Sequence, residues 1–398
     1  MKKIGLFLET APHGGGTFQY NQMMLGAVAS LPSDQFSVVV GYASELWSDY
    51  LTSYKLRTMP VPRGFWGRAI GLAWTLLGLP VSWWRRISPF FHPMARTFLK
   101  EKCDLWIFPS HDLRSYQFPV PSLVSIHDLM HRYERSFPES ASGWEYRNRE
   151  LSCRYICRWS QGVLVDSETG RRQMIESYGI PAGRVHVLPY IAPRYMREVQ
   201  TPLGFESRYR LPAKFIFYPA QFWEHKNHKR LIKAVVKLKN EIPDLKLVLA
   251  GSKKNAYDSV IELVRKLECD NDVVFLGYIP NEDVPEIYRR ARALVMPTFY
   301  GPTNIPPLEA FVAGCPVAVS NVYGMPEQVG DAALLFNPDS VEEIADCILR
   351  LWTDDRLCAG LAERGKKRAA AWGEKEFNER LREIVTQLTD GIEEQHHK

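Results

Sequence analysis

The chain has 398 residues, 45% of them hydrophobic and 24% charged, with a formal net charge of +5. That length exceeds the ~100–200 residues usual for one domain, so two domains are expected, each able to bury a core. The charge is too weak for a dedicated nucleic-acid binder, whose basic residues would also be clustered, but it suits an anionic ligand or an acidic membrane surface.

From the N-terminus, MKKIGLFLET carries too few apolar residues for a signal peptide and reads as a first β-strand, Lys3–Leu8. His13-Gly14-Gly15-Gly16-Thr17 follows directly, ahead of a helix over Phe18–Ala29. Glycines there let a backbone approach a ligand closely, and a helix N-terminus offers N–H groups to an anion. The spacing is not GxGxxG and no acidic residue ends the next strand, which disfavours a nicotinamide dinucleotide. The alternative is a plain tight turn.

Residues 63–86 hold sixteen uncharged residues, Ala69–Trp84, between Arg68 and the pair Arg85-Arg86. The run contains Pro80 and falls short of the ~20 residues that span a bilayer. Trp66, Trp74, Trp83 and Trp84 with flanking arginines suit a membrane interface. The competing reading packs these tryptophans inside the domain.

Further short apolar runs at Phe36–Val40, Leu105–Phe108, Leu123–Ile126, Val163–Val165 and Val185–Leu188 have the character of buried parallel strands. Residues 192–213 are charged, Pro-containing and aperiodic, and are expected to be an inter-domain linker. The rhythm resumes at Phe215–Tyr218, Leu245–Leu249, Val273–Leu276, Leu294–Met296 and Val317–Val319, and three helices close the chain, near 340–353, 355–370 and 373–390. Two βαβ series imply two doubly wound domains with ligands bound beyond the carboxyl ends of their strands.

Two second-domain segments carry the chemistry. Gln221-Phe222-Trp223-Glu224-His225-Lys226 follows a strand and opens a helix. Lys226 is expected in the first helical turn, where a cation opposes the positive helix end unless an anion binds. The second segment, Tyr300-Gly301-Pro302-Thr303-Asn304-Ile305-Pro306-Pro307-Leu308-Glu309, also starts a helix, with prolines where missing N–H groups cost nothing. The amides of Asn304 and Ile305 are then candidates for phosphate, and Glu309 for the same mouth. Seven cysteines at 103, 153, 157, 269, 315, 347 and 358 form no CxxC pair and read as reduced thiols of a cytoplasmic protein. Asp270-Asn271-Asp272 matches the D-x-D of metal-dependent transferases but reads better as a surface turn.

These motifs resemble, over nearly the whole chain, the retaining glycosyltransferases of family 4, also called group 1. The resemblance implies an α/β GT-B fold: two Rossmann-like doubly wound domains facing a central cleft. Residues 1–195 would bind acceptor, 196–372 the nucleotide sugar, and 373–398 would pack back on the first domain. Lys226 matches the family's diphosphate-gripping lysine, while Gln221 stands at its arginine. Glu309 matches the second acid of the E-x7-E element, which binds the donor ribose; Gly301 replaces the first. Thr303 and Asn304 then become the sugar-contacting candidates, and Gly277 and Tyr278 lie where the base would bind.

Ser125-Ile126-His127-Asp128-Leu129 and Phe137-Pro138-Glu139 resemble the subgroup of bacterial surface-polysaccharide mannosyl- and rhamnosyltransferases. In that subgroup the residue matching His127 lies near the transferred sugar, and Asp128 would orient it or meet the acceptor. The implied reaction moves a hexose, mannose from GDP-mannose first and dTDP- or UDP-sugars next, to a lipid-linked glycan at the inner membrane face. No metal or other cofactor is implied. An epimerase, a phosphorylase and a non-catalytic nucleotide-sugar binder share the architecture and stay as alternatives.

Overall fold

The computed structural model describes the chain apart from residues 11–14, 62–64, 142, 198–199 and 397–398; the side chains of 65–68, 72, 75, 141 and 392–396 are also outside the description. The chain divides into two compact units. The first comprises Met1–Leu129, Gly143–Pro189 and Glu374–Lys398; the second comprises Met130–Ser142 and Tyr190–Gly373.

The first unit is built on seven parallel strands: β1 (Lys2–Leu8), β2 (Phe36–Tyr42), β3 (Arg57–Pro60), β4 (Leu105–Phe108), β5 (Ser122–Ser125), β6 (Gly162–Val165) and β7 (Val185–Val187), in the order β3-β2-β1-β4-β5-β6-β7. Strands β4, β5 and β6 are buried at every residue, as parallel strands covered by helices on both faces must be. The unread strand β3 is the sheet edge. Its sequence, RTMP, is mostly exposed and ends in a proline that an interior strand could not accept. Helix α1 (Gly16–Ala29) covers the sheet, and the C-terminal helix Glu374–His396 packs on α1 and β4.

The second unit has six parallel strands, β8 (Ile216–Pro219), β9 (Leu247–Ala250), β10 (Val273–Gly277), β11 (Ala293–Met296), β12 (Val317–Ser320) and β13 (Leu334–Phe336), in the order β10-β9-β8-β11-β12-β13. This is the doubly wound order, with its switch point between β8 and β11, where such sheets bind ligands. The other unread strand, β13, is also a sheet edge and has three residues.

Two sequence expectations change. The stretch 192–213 is not a bare linker: it holds a 3-10 turn, Arg194–Arg197, and a short helix, Phe205–Tyr209, whose Met196 and Phe205 enter the second unit's core. Residues 130–142, read as first-domain sequence, group with the second unit instead. The cause is polar as well as apolar: Glu134 accepts the Tyr323 hydroxyl, Phe137 lies 5.3 Å from the Phe299 ring, and Glu139 binds His225 and Asn255.

Candidate functional site

In the second unit, the loops leaving β8 and β11 meet at the switch point. After β8, residues Glu224–Lys226 form a 3-10 turn. Asn227 adopts φ 60 and separates that turn from the helix α2 (His228–Lys237). Lys226 therefore stands before the helix, not in its first turn, because the left-handed residue resets the chain direction. The buried Asn227 carboxamide donates to the carbonyls of Pro297 (2.9 Å) and Pro338 (2.8 Å), pinning the turn to the ends of β11 and β13. The Lys226 ammonium donates to Asn304 Oδ1 at 3.3 Å, so the two motifs are joined directly.

His225 ties the same loops together. Its carbonyl accepts the Phe299 N–H at 2.8 Å, and its own N–H donates to Glu139 Oε1 at 2.9 Å. The ring Nδ1 also bonds to that oxygen, and Asn255 donates to the other at 2.9 Å. Burial pushes the Glu139 carboxyl up, but the hydrogen bonds from the His225 side chain and backbone and from Asn255 outweigh it and hold the group down at about 2. Nothing in the sequence marked Glu139 as a partner of this loop beyond its place in the Phe137-Pro138-Glu139 motif. Gln221 accepts the Trp223 indole N–H at 2.9 Å, and Lys254 lies 5.0 Å from the Trp223 ring centroid.

The third motif is more occupied than expected. The Asn304 N–H donates to Gln328 Oε1 at 3.0 Å and the Asn304 carbonyl accepts from Gln328 Nε2 at 2.7 Å, so Gln328 already takes the Asn304 amide. The helix α3 (Ile305–Ala313) begins with Ile305 and then two prolines that have no N–H to give. Thr303 is buried beside it. Gly301 has φ 132, and a Cβ there would lie 2.5 Å from Asn304 Nδ2. The position that the family fills with an acid is thus committed to glycine: the backbone is strained for any other residue, and the Asn304 side chain fills the space. Glu309 is buried, with its carboxylate between the Tyr195 and Tyr288 hydroxyls. Burial raises its pKa, against the lowering effect of the two phenols. Tyr195 was missed because it falls in the stretch read as linker. Gly277 ends β10, its carbonyl accepting the Gly251 N–H at 2.7 Å, and Tyr278 beyond it is exposed.

In the first unit, Gly14 lies outside the described residues. Gly15, at φ 70, caps α1, its carbonyl accepting the Phe18 and Gln19 N–H groups, and Gly16 is the first helical residue. His127 follows β5. Its N–H donates to His111 Nε2 at 3.0 Å and its Nε2 lies 2.9 Å from the Pro109 carbonyl. A carbonyl can only accept, so in the neutral ring Nε2 carries the proton and Nδ1 is the acceptor nitrogen. Burial lowers the ring's pKa and favours that neutral form. Asp128 pairs with Arg149 at 2.5 Å. Nearby, Arg114 holds both Asp112 (2.9 Å) and Glu9 (2.6 Å), the residue that follows β1. None of Arg149, Asp112, Arg114 or Glu9 stood out in the sequence.

The tryptophan-rich stretch forms two helices, Phe65–Leu76 and Val81–Phe91. In the second, Val81, Trp84 and Ser88 share the buried face, whereas Trp83, Arg86 and Phe90 share the opposite one. Trp84 is 1% exposed and Trp83 62%. The expected interface set is corrected accordingly: Trp84 packs inward against Trp74 at 5.6 Å, and Arg85 donates to the Tyr116 carbonyl at 2.9 Å and lies over Trp159. Leu77, Leu79, Phe90 and Phe91 are exposed instead. The side chains of Trp66 and Arg68 are outside the described residues. Among the described residues no helix is long and apolar enough to cross a membrane.

Asp270-Asn271-Asp272 lies at the amino end of β10, and Asp272 is held by Lys239 (2.8 Å) and Lys246 (2.9 Å). All seven cysteines are buried and unpaired.

Comparison with known proteins bears on both units. Residues 204–368 match the family model for glycosyl transferases group 1, and residues 57–190 match the glycosyl transferase 4-like domain. The O-antigen chain mannosyltransferase B of Escherichia coli is 32% identical over 259 residues, 61% of this chain and 67% of that protein. The chain belongs to the group 1 glycosyltransferases. Solved structures agree on the GT-B fold of this glycosyltransferase. Sucrose-phosphate synthase from Thermosynechococcus elongatus superposes with a TM-score of 0.72 at 19% identity, covering 98% of this chain and 100% of that one. Anabaena HepE in complex with UDP-glucose superposes with a TM-score of 0.71 at 15% identity, covering 97% and 100%.

Proposed function

We propose that this glycosyltransferase moves a hexose, mannose from GDP-mannose in the first assignment, onto a lipid-linked glycan in O-antigen or related surface-polysaccharide assembly, with retention of anomeric configuration. The observation that carries the donor half is the meeting of Lys226 and Asn304 at 3.3 Å across the β8/β11 switch point. An ammonium fixed there answers a diphosphate, and stabilising the leaving diphosphate is where a protein can lower this barrier most. Glu309 is assigned to the ribose, Gly277 and Tyr278 to the base, and Thr303 with Asn304 to the sugar. In the first unit, His127 and Asp128 are assigned to the reacting sugar and acceptor. No covalent nucleophile is assigned, in keeping with the front-face attack that the family resemblance implies.

The choice of mannose is supported by the likeness to the E. coli O-antigen chain mannosyltransferase. HepE, crystallised with UDP-glucose, keeps UDP-sugars as the second reading. Transfer is assigned as metal-independent, since Asp272 is already engaged by two lysines at the end of the sheet away from the site. Trp83, Phe90, Phe91 and Leu77 are assigned as the face that rests on the anionic inner surface of the cytoplasmic membrane, where the acceptor's lipid is anchored.

Thermal-shift titration with GDP, dTDP, UDP and their sugars tests the donor. A rise with GDP and GDP-mannose that disappears in Lys226→Ala is expected, because a ligand of the folded state raises Tm by mass action. A rise with UDP alone would replace the mannose assignment, and binding without any transfer to acceptor would favour a non-catalytic binder. Flotation with anionic vesicles at low salt tests the membrane face, and failure to float removes it.

A further inference from the structure

Glu309 is 5% exposed, and both of its carboxylate oxygens are engaged: Oε1 accepts the Tyr195 hydroxyl, and Oε2 the Tyr288 hydroxyl at 2.7 Å. The two phenols differ in kind. Tyr288 belongs to the helix Val284–Arg290, is fully buried, and its hydroxyl also reaches the Pro306 carbonyl at 3.3 Å. It is a fixed part of the core. Tyr195 comes from the one-turn segment Arg194–Arg197, is only partly buried, and stands between exposed Arg194 and Arg197.

A buried carboxylate is tolerable only while its oxygens have donors. The two donors of Glu309 thus differ in setting: Tyr288 is buried in a helix of the core, and Tyr195 sits on a short turn, partly buried. A ligand hydroxyl that replaces the Tyr195 hydroxyl at Oε1 conserves the number of O–H···O bonds. We propose that Tyr195 is a placeholder for the donor's ribose: the hydroxyl that caps Glu309 is displaced by a ribose hydroxyl when the nucleotide binds. The inference rests on the donor reading above, which assigns the ribose to Glu309.

The consequence is a specificity device. A nucleotide that engages Glu309 must break the Tyr195 bond, and its ribose hydroxyl makes that bond good. A nucleotide without that hydroxyl leaves Tyr195 in place, gains nothing from Glu309, and binds more weakly for it.

Calorimetric titration of GDP and UDP against their 2′,3′-dideoxy counterparts tests this. In Tyr195→Phe the ribonucleotide should bind about 10- to 100-fold tighter, since one hydrogen bond to a charged group no longer competes. The dideoxy affinity should not change. Tyr195→Leu should share the tightening, and serves if the phenylalanine variant melts early. Glu309→Gln should lose most of the preference for ribonucleotide over dideoxynucleotide. Unchanged or weaker ribonucleotide binding in both Tyr195 variants, or equal tightening for the dideoxy forms, would overturn the proposal while leaving the donor site standing. A wild-type protein that binds none of these nucleotides removes the donor reading and this inference with it.

Discussion

The two units build their candidate sites in different ways. In the second unit one motif touches the other, Lys226 reaching Asn304, and the residues that flank them join in: His225 accepts from Phe299, and Asn227 donates to Pro297. In the first unit, His127 and Asp128 are each held by residues outside their motif, namely His111, Pro109 and Arg149. A site whose motifs bind each other is largely visible in sequence. A site whose motif leans on distant scaffolding shows only its tip. The contrast also sets where a single substitution should hurt most.

The largest effect is expected at Lys226. In Lys226→Ala, kcat/KM should fall about 10²- to 10³-fold, the usual cost of removing one group that stabilises developing charge. The melting temperature should move little, because the ammonium's bond to the Asn304 Oδ1 atom is a long 3.3 Å. A loss below tenfold would mean that the diphosphate is held elsewhere, with Lys254 the next cation to test.

The first unit should respond through its scaffold. Arg149→Met leaves Asp128 without its 2.5 Å partner. Transfer should drop about tenfold, the scale of one lost charge-assisted hydrogen bond, with nucleotide binding unaffected. Steady-state kinetics with the acceptor varied at saturating donor would read this. A change in donor affinity of the same size would break the division of labour between the units.

Gly301 probes the departure from the family pattern. Gly301→Ala must place a Cβ 2.5 Å from Asn304 Nδ2 at φ 132. Strain of this kind costs about 1–3 kcal/mol, and displacing Asn304 also removes its contact with Lys226. Lower Tm and weaker nucleotide binding are expected together. Gly301→Glu should do the same and not rescue activity. A Gly301→Glu variant that binds donor more tightly would show that the loop refolds around the acid.

What could be read in the sequence follows from the same physics. Strands such as Leu105–Phe108 and Leu294–Met296 are buried on both faces, so their apolar runs announced them. Arg57–Pro60 and Leu334–Phe336 sit at sheet edges, where pairing on one side suffices and composition carries little signal. Lys226 was correctly singled out but wrongly seated, because the left-handed backbone of Asn227 leaves no mark in hydropathy. Tyr195 was hidden in a charged, Pro-containing stretch whose order depends on tertiary contacts. The tryptophans were read as one surface because the run is apolar throughout; only the helix period, with Trp84 inside and Trp83 outside, separates them.

The smallest effect, and the finest test of the comparison, is the pH response of the second unit's loop. Glu139 is held at about 2 against an ordinary value of 4.5. Its folded pKa is depressed, so its contribution is fully present above about pH 4.5 and is lost as pH falls toward 2. His228, beneath the same loop and stacked on Phe222 at 4.4 Å, has the opposite chemistry: burial and the neighbouring Lys226 lower its pKa to about 3 from 6.5. It is neutral when folded, so stability falls as pH drops from 6.5 toward 3, an earlier window than that of Glu139. Urea unfolding of wild type and Glu139→Gln should give parallel pH profiles from 7 to 5. Below that the gap should close, by about 1–2 kcal/mol at most for a partly screened pair. A gap that stays constant down to pH 3 would mean that the Glu139 carboxylate charge contributes nothing, and that the loop is held by the Asn227 and Phe299 hydrogen bonds alone.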